Sequence, residues 1–564
     1  MKNWRLNILL CAFVIVAAMV IGRLFYVQVM QHKLYAALAL GQQTGFTEIR
    51  GTRGEVFFKN SRESKGAYGS GEVKSLAINK EKWVVYAIAN NISDHMLFAK
   101  TLSPHVGETE EFILSKMEES KTYAVIKKDL GEDEVKALKA LELKGLHFES
   151  LTTRYYPQEG LAAQVIGFLG GGGEGQYGIE GYYEEELMGK TGIKEEKKGL
   201  DLINMNLEQE DLDGSDIYLT IDYNIQFQAE ALLKQAAKDI DIESGQVIVL
   251  KPDSGRILAL ANYPLFDPNK YSKEKDFGIF QNSAVQKVFE PGSVFKPFSM
   301  AIALNEGKVS ADAKFNDTGF VAIGPDTIYN FNREKYGEQT LSGILEKSIN
   351  TGAVYLSKLV PKQTFISYLE KLGFDKKTGV DLQGEVSSKN ELLKKGSPFG
   401  FATASFGQGI EMTPIQLAAA FSVFANGGRV VKPYITEKIS GSQKEIKIEP
   451  QLSEQVISPK VATQVTTMLI NVVERGFGDG ARIPGYYLAG KTGTAEVPLK
   501  NGKGYYGDRT VQSFIGFGPA LKPEFLILVK LDNPKVPKSS LSAVPIFKKL
   551  SQYIINYWQL PPDY

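Results

Sequence analysis

Apolar runs and glycine-marked polar interruptions divide the chain into three stretches. Leu6 to Gly22 is almost wholly apolar over about 17 residues, the short end of the length that spans a bilayer as a helix. Lys2 and Arg5 precede it and Arg23 and Lys33 follow, so charge alone does not orient it. The run exceeds a usual signal-peptide core, and the nearest A-x-A pattern, Ala37 to Ala39, lies well beyond it, which predicts a retained anchor. Leu24 to Leu40 is amphipathic with helical spacing. Arg50-Gly51-Thr52-Arg53-Gly54 then opens a strand, Glu55 to Phe58. The segment Gly170 to Gly178 is too rich in glycine to pack regularly and predicts an exposed loop. After Asp213-Gly214 come a strand within Ile217 to Asp222 and an amphipathic helix, Ile225 to Lys238. Gln246 to Leu250 and Arg256 to Ala261 form strands around a Pro-Asp-Ser-Gly turn. Val511 to Phe517 and Phe525 to Leu531 form a hairpin. Helical patterns such as Pro414 to Phe424 lie between. Strands at both ends with helices between predict an α+β fold, one antiparallel sheet assembled from the two ends and covered by helices. The expected divisions are a short tail and anchor over 1–30, a second domain over 31–225 and a third over 226–564.

Composition narrows the chemistry. The 65 basic and 65 acidic residues cancel, so nothing attracts a polyanion and nucleic acid is excluded as a partner. Cys11 is the single cysteine, which rules out an intramolecular disulfide and a cysteine-built metal site. Bulky Leu10 before it argues against lipidation. The four histidines are His32, His95, His105 and His147, so the third stretch must run any serine chemistry without a histidine base. No metal or cofactor is expected.

Three short patterns carry the chemistry that remains: S-x-x-K, S-x-N and K-T-G. A chain of this length holds about two S-x-x-K patterns by chance, so context must separate site from accident. Ser293 lies in EPGSVFKPF, where Pro291-Gly292 breaks the preceding structure and Pro297 is tolerated only near a helix start. Ser293 is therefore placed in a first helical turn, with Lys296 three residues on and on the same face. To act as a base near neutrality, Lys296 must lose about 3 pKa units, which needs burial and a second positive charge. Lys491, in the strand-like YYLAGKTGTAE, can supply that charge. Gly493 leaves the strand bare enough for another backbone to approach, and the Thr492 and Thr494 hydroxyls are available to a terminal carboxylate. Ser348 and Asn350, in EKSINTGAVYL, are expected to point the same way from a short extended segment. The competing copies sit elsewhere: Ser272 with Lys275 and Ser388 with Asn390 in polar surface stretches, Lys190 and Lys377 in loops.

With these motifs in order, the chain resembles the class B penicillin-binding proteins, single-span transpeptidases of cell-wall synthesis. RYYPQEGLAAQVIGFLG with GIEGYYEEELMGKTG is similar to the family's pedestal signature, and LTIDYNIQFQAE to the start of its transpeptidase domain. SFGQGIEMTPIQLAAAFSVFANGG and VVERGFGDGARIPGYYLAGKTGTAE are similarly specific. The chain departs from the family where its opening Arg-Gly continues as EVFFKN instead of an Asp-Arg pair. The resemblance implies an elongated pedestal over 31–225 and a penicillin-binding/serine β-lactamase-like transpeptidase domain over 226–564, outside the cytoplasmic membrane on a single-pass anchor. It further implies that Ser293 attacks the D-Ala-D-Ala bond of a peptidoglycan stem peptide. Lys296 takes its proton, Ser348 relays one to the leaving amine, and Lys491 tunes the field. Asn350 holds the substrate amide and Thr492, Gly493 and Thr494 bind the carboxylate end, with backbone N–H groups of Ser293 and Thr494 as the oxyanion hole. β-Lactams are the implied inhibitors and a polytopic membrane glycosyltransferase the implied partner. The role in division, elongation or sporulation stays open. A β-lactamase or carboxypeptidase would share the acylation chemistry, but the sequence shows no E-x-x-L-N pattern to position a deacylating water. A non-catalytic penicillin sensor or wall scaffold is the remaining alternative.

Overall fold

The computed structural model describes residues 4–26, 46–59, 74–195, 212–442, 444–499 and 504–564. They form two compact units, one of residues 1–54, 185–215 and 441–444, the other containing the rest.

In the smaller unit Trp4–Phe25 is a helix, and strand Phe46–Arg50 pairs antiparallel with Thr191–Glu195. Lys190, one of the K-T-G decoys, gives its carbonyl to the Gly51 N–H at 2.9 Å beside this ladder. Among the described residues no helix is long and apolar enough to cross a membrane. The side chains of the first helix are described only from Phe13 onward, a stretch too short to span by itself. The expected amphipathic helix Leu24 to Leu40 falls mostly outside the described residues.

The larger unit holds two principal sheets. The first contains β1 (Val56–Phe57), β2 (Ser75–Ala87), β3 (Ala124–Leu130), β4 (Leu146–Tyr155) and β5 (Asp216–Leu219). Its order runs Glu445–Lys447, Thr436–Ser440, β5, β1, β2, β3, with β4 also pairing β2. The β1–β5 pair is parallel and the other pairs are antiparallel. Thr436–Ser440 therefore crosses the boundary expected at residues 225 and 226, because one of its edges is satisfied on β5 and the other on Glu445–Lys447. Helices His95–Val106, Glu110–Glu119 and Glu132–Lys139 bury Phe98, Leu102, Ile113, Met117 and Val135 against this sheet. The Gly170 to Gly178 loop is more ordered than expected. Phe168–Leu169 and Gly175–Gln176 pair across its tip, and Gly178 is buried with φ +46°, where a Cβ would meet the Val165 carbonyl oxygen at 2.3 Å. Glycine is required there for a close backbone approach.

The second sheet is the one expected from the two ends of the third stretch. Its strands are β6 (Ser244–Leu250), β7 (Ile257–Tyr263), β8 (Ala489–Pro498), β9 (Tyr505–Gly518) and β10 (Phe525–Asp532), in the order β7-β6-β10-β9-β8 and antiparallel throughout. Helix α1 (Tyr223–Ile240) starts where Asp222 accepts from the N–H groups of Asn224 and Ile225 at 2.9 and 3.1 Å. Its apolar stripe, with α7 of the C-terminal region (Ala543–Tyr557), covers one face of the sheet. Between the two ends of the sheet lie α2 (Lys296–Asn305), α3 (Leu341–Glu346), α4 (Asn350–Leu359), α5 (Pro414–Ala425) and α6 (Pro459–Arg475). Helix α5 opens on a capping box, Thr413 with Gln416. Phe298 of α2 packs edge-on against Phe374 and Phe421, which fixes the start of α2 against an apolar floor.

Candidate active site

The nucleophile candidate sits where two helical geometries meet. Gly292–Phe295 is a 3-10 turn that runs directly into α2, whose first residue is Lys296 and whose second is Pro297. Proline is accommodated there because no N–H is needed in the first turn. Ser293 is partly exposed, whereas Lys296, one turn further on, is buried. Among the described residues no hydrogen bond joins the Ser293 hydroxyl to Lys296. The amine instead donates to Ser348, to its carbonyl by a short bond and to its Oγ at 3.1 Å.

Lys491 reaches the same oxygen. It lies on β8, an outermost strand of the second sheet, and its Nζ donates to Ser348 Oγ at 3.0 Å, to the Thr492 carbonyl at 3.0 Å and to Thr492 Oγ1 at 3.3 Å. Two lysine nitrogens thus converge on one serine hydroxyl, and both lysines are buried. Burial first, and then the charge of Lys491, hold the Lys296 amine well below the usual lysine range. Burial brings Lys491 down to about 7. The arrangement keeps Lys296 neutral in conditions where a solvent-exposed lysine would be fully charged.

The segment carrying Ser348 differs from the expected extended strand. It is a helix-to-helix turn. The N–H of Ile349 bonds the Ile344 carbonyl and the N–H of Ser348 bonds that of Leu345, closing α3 in a Schellman motif. Ser348 occupies the left-handed position of that motif at φ +55°, where glycine is usual, and Asn350 is already the first residue of α4. The strained serine brings its hydroxyl to both lysines. Asn350 is aimed elsewhere than at this pair, its Nδ2 donating to the Tyr329 carbonyl at 2.9 Å.

Two glycines bring the nucleophile turn and β8 together. A Cβ on Gly493 would meet Val294 Cγ1 at 2.8 Å and the Pro291 carbonyl at 3.1 Å. The backbone that this bare position admits is the chain's own nucleophile turn. Gly292 has φ +60°, and a Cβ there would lie 3.0 Å from the Thr494 carbonyl oxygen. Its N–H bonds the carbonyl of Gly407 at 2.9 Å. Gly407 and Glu290 are neighbours of the nucleophile turn that sequence reading passed over. Glu290 accepts from the Gly409 N–H at 3.0 Å and from the Tyr505 hydroxyl at 3.1 Å, and burial raises its carboxyl. The signal was present in the glycines themselves, since both Gly292 and Gly407 stand at positive φ.

The decoys separate in space as well as in context. Ser272, Lys275 and Lys377 are exposed, Lys377 in an irregular segment. Ser388 and Asn390 are not simply solvated. Asn390 accepts from the Glu411 N–H at 2.8 Å and donates to the carbonyls of Phe374 and Glu411. It ties a loop to distant backbone, which its polar sequence surroundings concealed.

Residues 245–552 match the family model described as the penicillin binding protein transpeptidase domain, and residues 52–219 the penicillin-binding protein dimerisation domain. The chain belongs to the class B penicillin-binding proteins. Membership makes it a serine-acylating transpeptidase of cell-wall synthesis. It is 32% identical to Stage V sporulation protein D of Bacillus subtilis, across 94% of this chain and 82% of that protein. It is 28% identical to the probable peptidoglycan D,D-transpeptidase PbpC of Pseudomonas aeruginosa, across 100% and 96%. Among solved structures it is similar to penicillin binding protein 3 of Mycobacterium tuberculosis complexed with aztreonam, with TM-score 0.69 and 25% identity over 92% of this chain and 98% of that one. Penicillin binding protein 2X of Streptococcus thermophilus shares the fold, with TM-score 0.74 and 20% identity over 92% and 81%.

Proposed function

We propose that this penicillin-binding protein cross-links peptidoglycan stem peptides through an ester on Ser293. Ser293 Oγ attacks the carbonyl between the two terminal D-alanines, and its proton passes to Lys296 Nζ. The C–N bond breaks, and a proton delivered through Ser348 Oγ leaves with the terminal D-Ala amine. The amine of a neighbouring stem peptide then attacks the ester, forms the new amide and returns Ser293 to its hydroxyl form. Backbone N–H groups of Ser293 and Thr494 receive the developing oxyanion. Lys491 holds the field, Asn350 takes the substrate amide, and Thr492, Gly493 and Thr494 present the strand edge to its carboxylate. A β-lactam opens on the same serine.

The observation that carries this reading is the convergence of two buried lysine amines on Ser348 Oγ, at 3.1 and 3.0 Å, beside a partly exposed serine one helical turn before Lys296. It provides a base, a relay and a second lysine charge without histidine. Residues 1–30 are taken as a tail and single-pass anchor, 31–225 as pedestal and 226–564 as the transpeptidase domain, held on the outer side of the cytoplasmic membrane. The exposed apolar side chains Phe13, Ile15, Met19, Val20, Ile21 and Phe25 on the first helix support an anchor. A polytopic membrane glycosyltransferase supplies the glycan. Purified full-length chain given that polymerase and lipid-linked precursor is expected to release D-Ala and form cross-linked peptides. Release of D-Ala without cross-links would identify a carboxypeptidase instead.

A further inference from the structure

The loop region preceding α3 carries aromatic side chains that the proposed chemistry does not use. Strand Phe320–Ile323 pairs antiparallel with Asp326–Tyr329, and Phe320 lies directly opposite Tyr329. Side chains alternate across such a hairpin. Val321, Ile323 and Ile328 pack inward on Ala353 and Val354 of α4 and on Phe406. Phe320 and Tyr329 face outward, 52% and 42% exposed, with ring centroids 6.3 Å apart. Phe331 follows at 58% exposed, and the Arg333 guanidinium lies 4.7 Å from the centre of the Tyr329 ring.

The hairpin is built to stay in place. Buried Asp317 accepts from Thr351 Oγ1 at 2.6 Å, Gly319 N at 2.9 Å, Asn330 Nδ2 at 2.9 Å and Tyr336 N at 2.8 Å. Asn330 also accepts from Thr351 N at 3.2 Å. Asn332 and Arg333 are held at φ +54° and +58°, a strained conformation that persists only where surrounding structure enforces it. The ledge adjoins the acylation residues, since the Tyr329 carbonyl accepts from Asn350 Nδ2. Exposed apolar surface held rigidly beside a reaction centre marks a binding surface.

We infer that Phe320, Tyr329, Phe331 and Arg333 form a saccharide-binding ledge that holds the glycan of the substrate strand beside the acylation site. The inference rests on the transpeptidase reading. Pyranose rings present flat C–H faces that lie on aromatic rings, and their acetamide carbonyls and hydroxyl oxygens accept from a guanidinium. The short, mostly aliphatic stem peptide has no comparable flat face, and its terminus is taken at β8.

The test uses the full-length protein, with uncross-linked glycan bearing stem peptides and the same stem peptide without sugar as alternative donors. The wild type is expected to prefer the glycan-bearing donor by about tenfold or more in kcat/KM for D-Ala release. In the Phe320→Thr, Phe331→Ala double variant that ratio falls to near one, while penicillin acylation and turnover of the bare peptide stay within about twofold. An unchanged ratio in the variant, or a ratio near one in the wild type, overturns the ledge. If penicillin does not acylate Ser293 at all, the transpeptidase reading fails separately. The ledge is then decided by titrating N-acetylated chito-oligosaccharide against aromatic NMR signals. Shifts in the wild type that vanish in the variant support it, and their absence from the wild type overturns it.

Discussion

Replacing Lys491 by methionine tests whether this lysine acts as a charge on Lys296 or only as a contact for substrate. Methionine fills similar volume without charge and leaves Ser348 to Lys296. Both amines bond Ser348 Oγ, at 3.1 and 3.0 Å, so the two nitrogens are no more than about 6 Å apart. At an effective dielectric constant near 20, unit charges at that separation repel by roughly 3 kcal/mol, or about 2 pKa units. Burial brings Lys491 down to about 7, so below that pH it is charged and opposes a proton on Lys296, whose amine burial and the Lys491 charge hold well below the usual lysine range. Acylation needs neutral Lys296 and therefore rises with pH through its pKa. Removing Lys491 should shift that rising limb upward by about 2 units and slow acylation near pH 6 by up to about a hundredfold. The assay is the second-order rate constant for a fluorescent penicillin measured from about pH 5 to 10. A limb that stays in place while the rate falls equally at every pH would refute the electrostatic role.

Four other outcomes follow from the same geometry. Ser348→Gly relieves a left-handed strain worth about 1–2 kcal/mol, offset by glycine's greater unfolded freedom, so thermal stability should change by less than about 1 kcal/mol while acylation falls at least about a hundredfold. Gly292→Ala should lower stability by about 1–2 kcal/mol and slow labelling, because its methyl would press on the Thr494 carbonyl at 3.0 Å. Burial pushes the Asp317 carboxyl up, but the bonds from Thr351, Gly319, Tyr336 and Asn330 outweigh it and hold the carboxyl below its usual range. Its stabilisation is therefore present above about pH 4 and lost as the pH falls through the lower folded value. In acid denaturation, Asp317→Asn should be destabilised by about 1–3 kcal/mol near neutrality and lose part of the wild-type acid slope. Lys491 gives a slope of the same sign at higher pH: between about 7 and its ordinary value of 10.5, the unfolded chain binds the extra proton. Wild-type stability should therefore rise across that window and Lys491→Met should flatten the rise.

How far the sequence could be read depended on whether a feature was local. The start of α2 was legible because Pro291-Gly292 and Pro297 bracket Ser293 and Lys296 within one turn. The strand around Lys491 was legible because an apolar, threonine-rich run is bordered there by Gly490 and Gly493. Ser348 was recognisable as a candidate, but its conformation was not. A Schellman turn ordinarily announces itself by glycine, and here a serine occupies the left-handed position, so the segment read as extended. Asn390 misled for a similar reason, since the backbone of Glu411 and Phe374 that it binds is remote in sequence. The pairing of Thr436–Ser440 with β5 was equally invisible, as a short strand carries no record of a partner more than two hundred residues away. The second sheet was foreseen because its two hairpins are short, continuous apolar runs bounded by turn residues and sit at the two ends of the third stretch.

Mass mapping of the penicillin adduct tests the account most directly. Full-length protein treated with a penicillin should gain one acyl group per chain, located on the peptide that contains Ser293, and Ser293→Ala should gain none while keeping its thermal transition. An adduct that persists in Ser293→Ala, or that maps to Ser348 or to any other residue in the wild type, would contradict it.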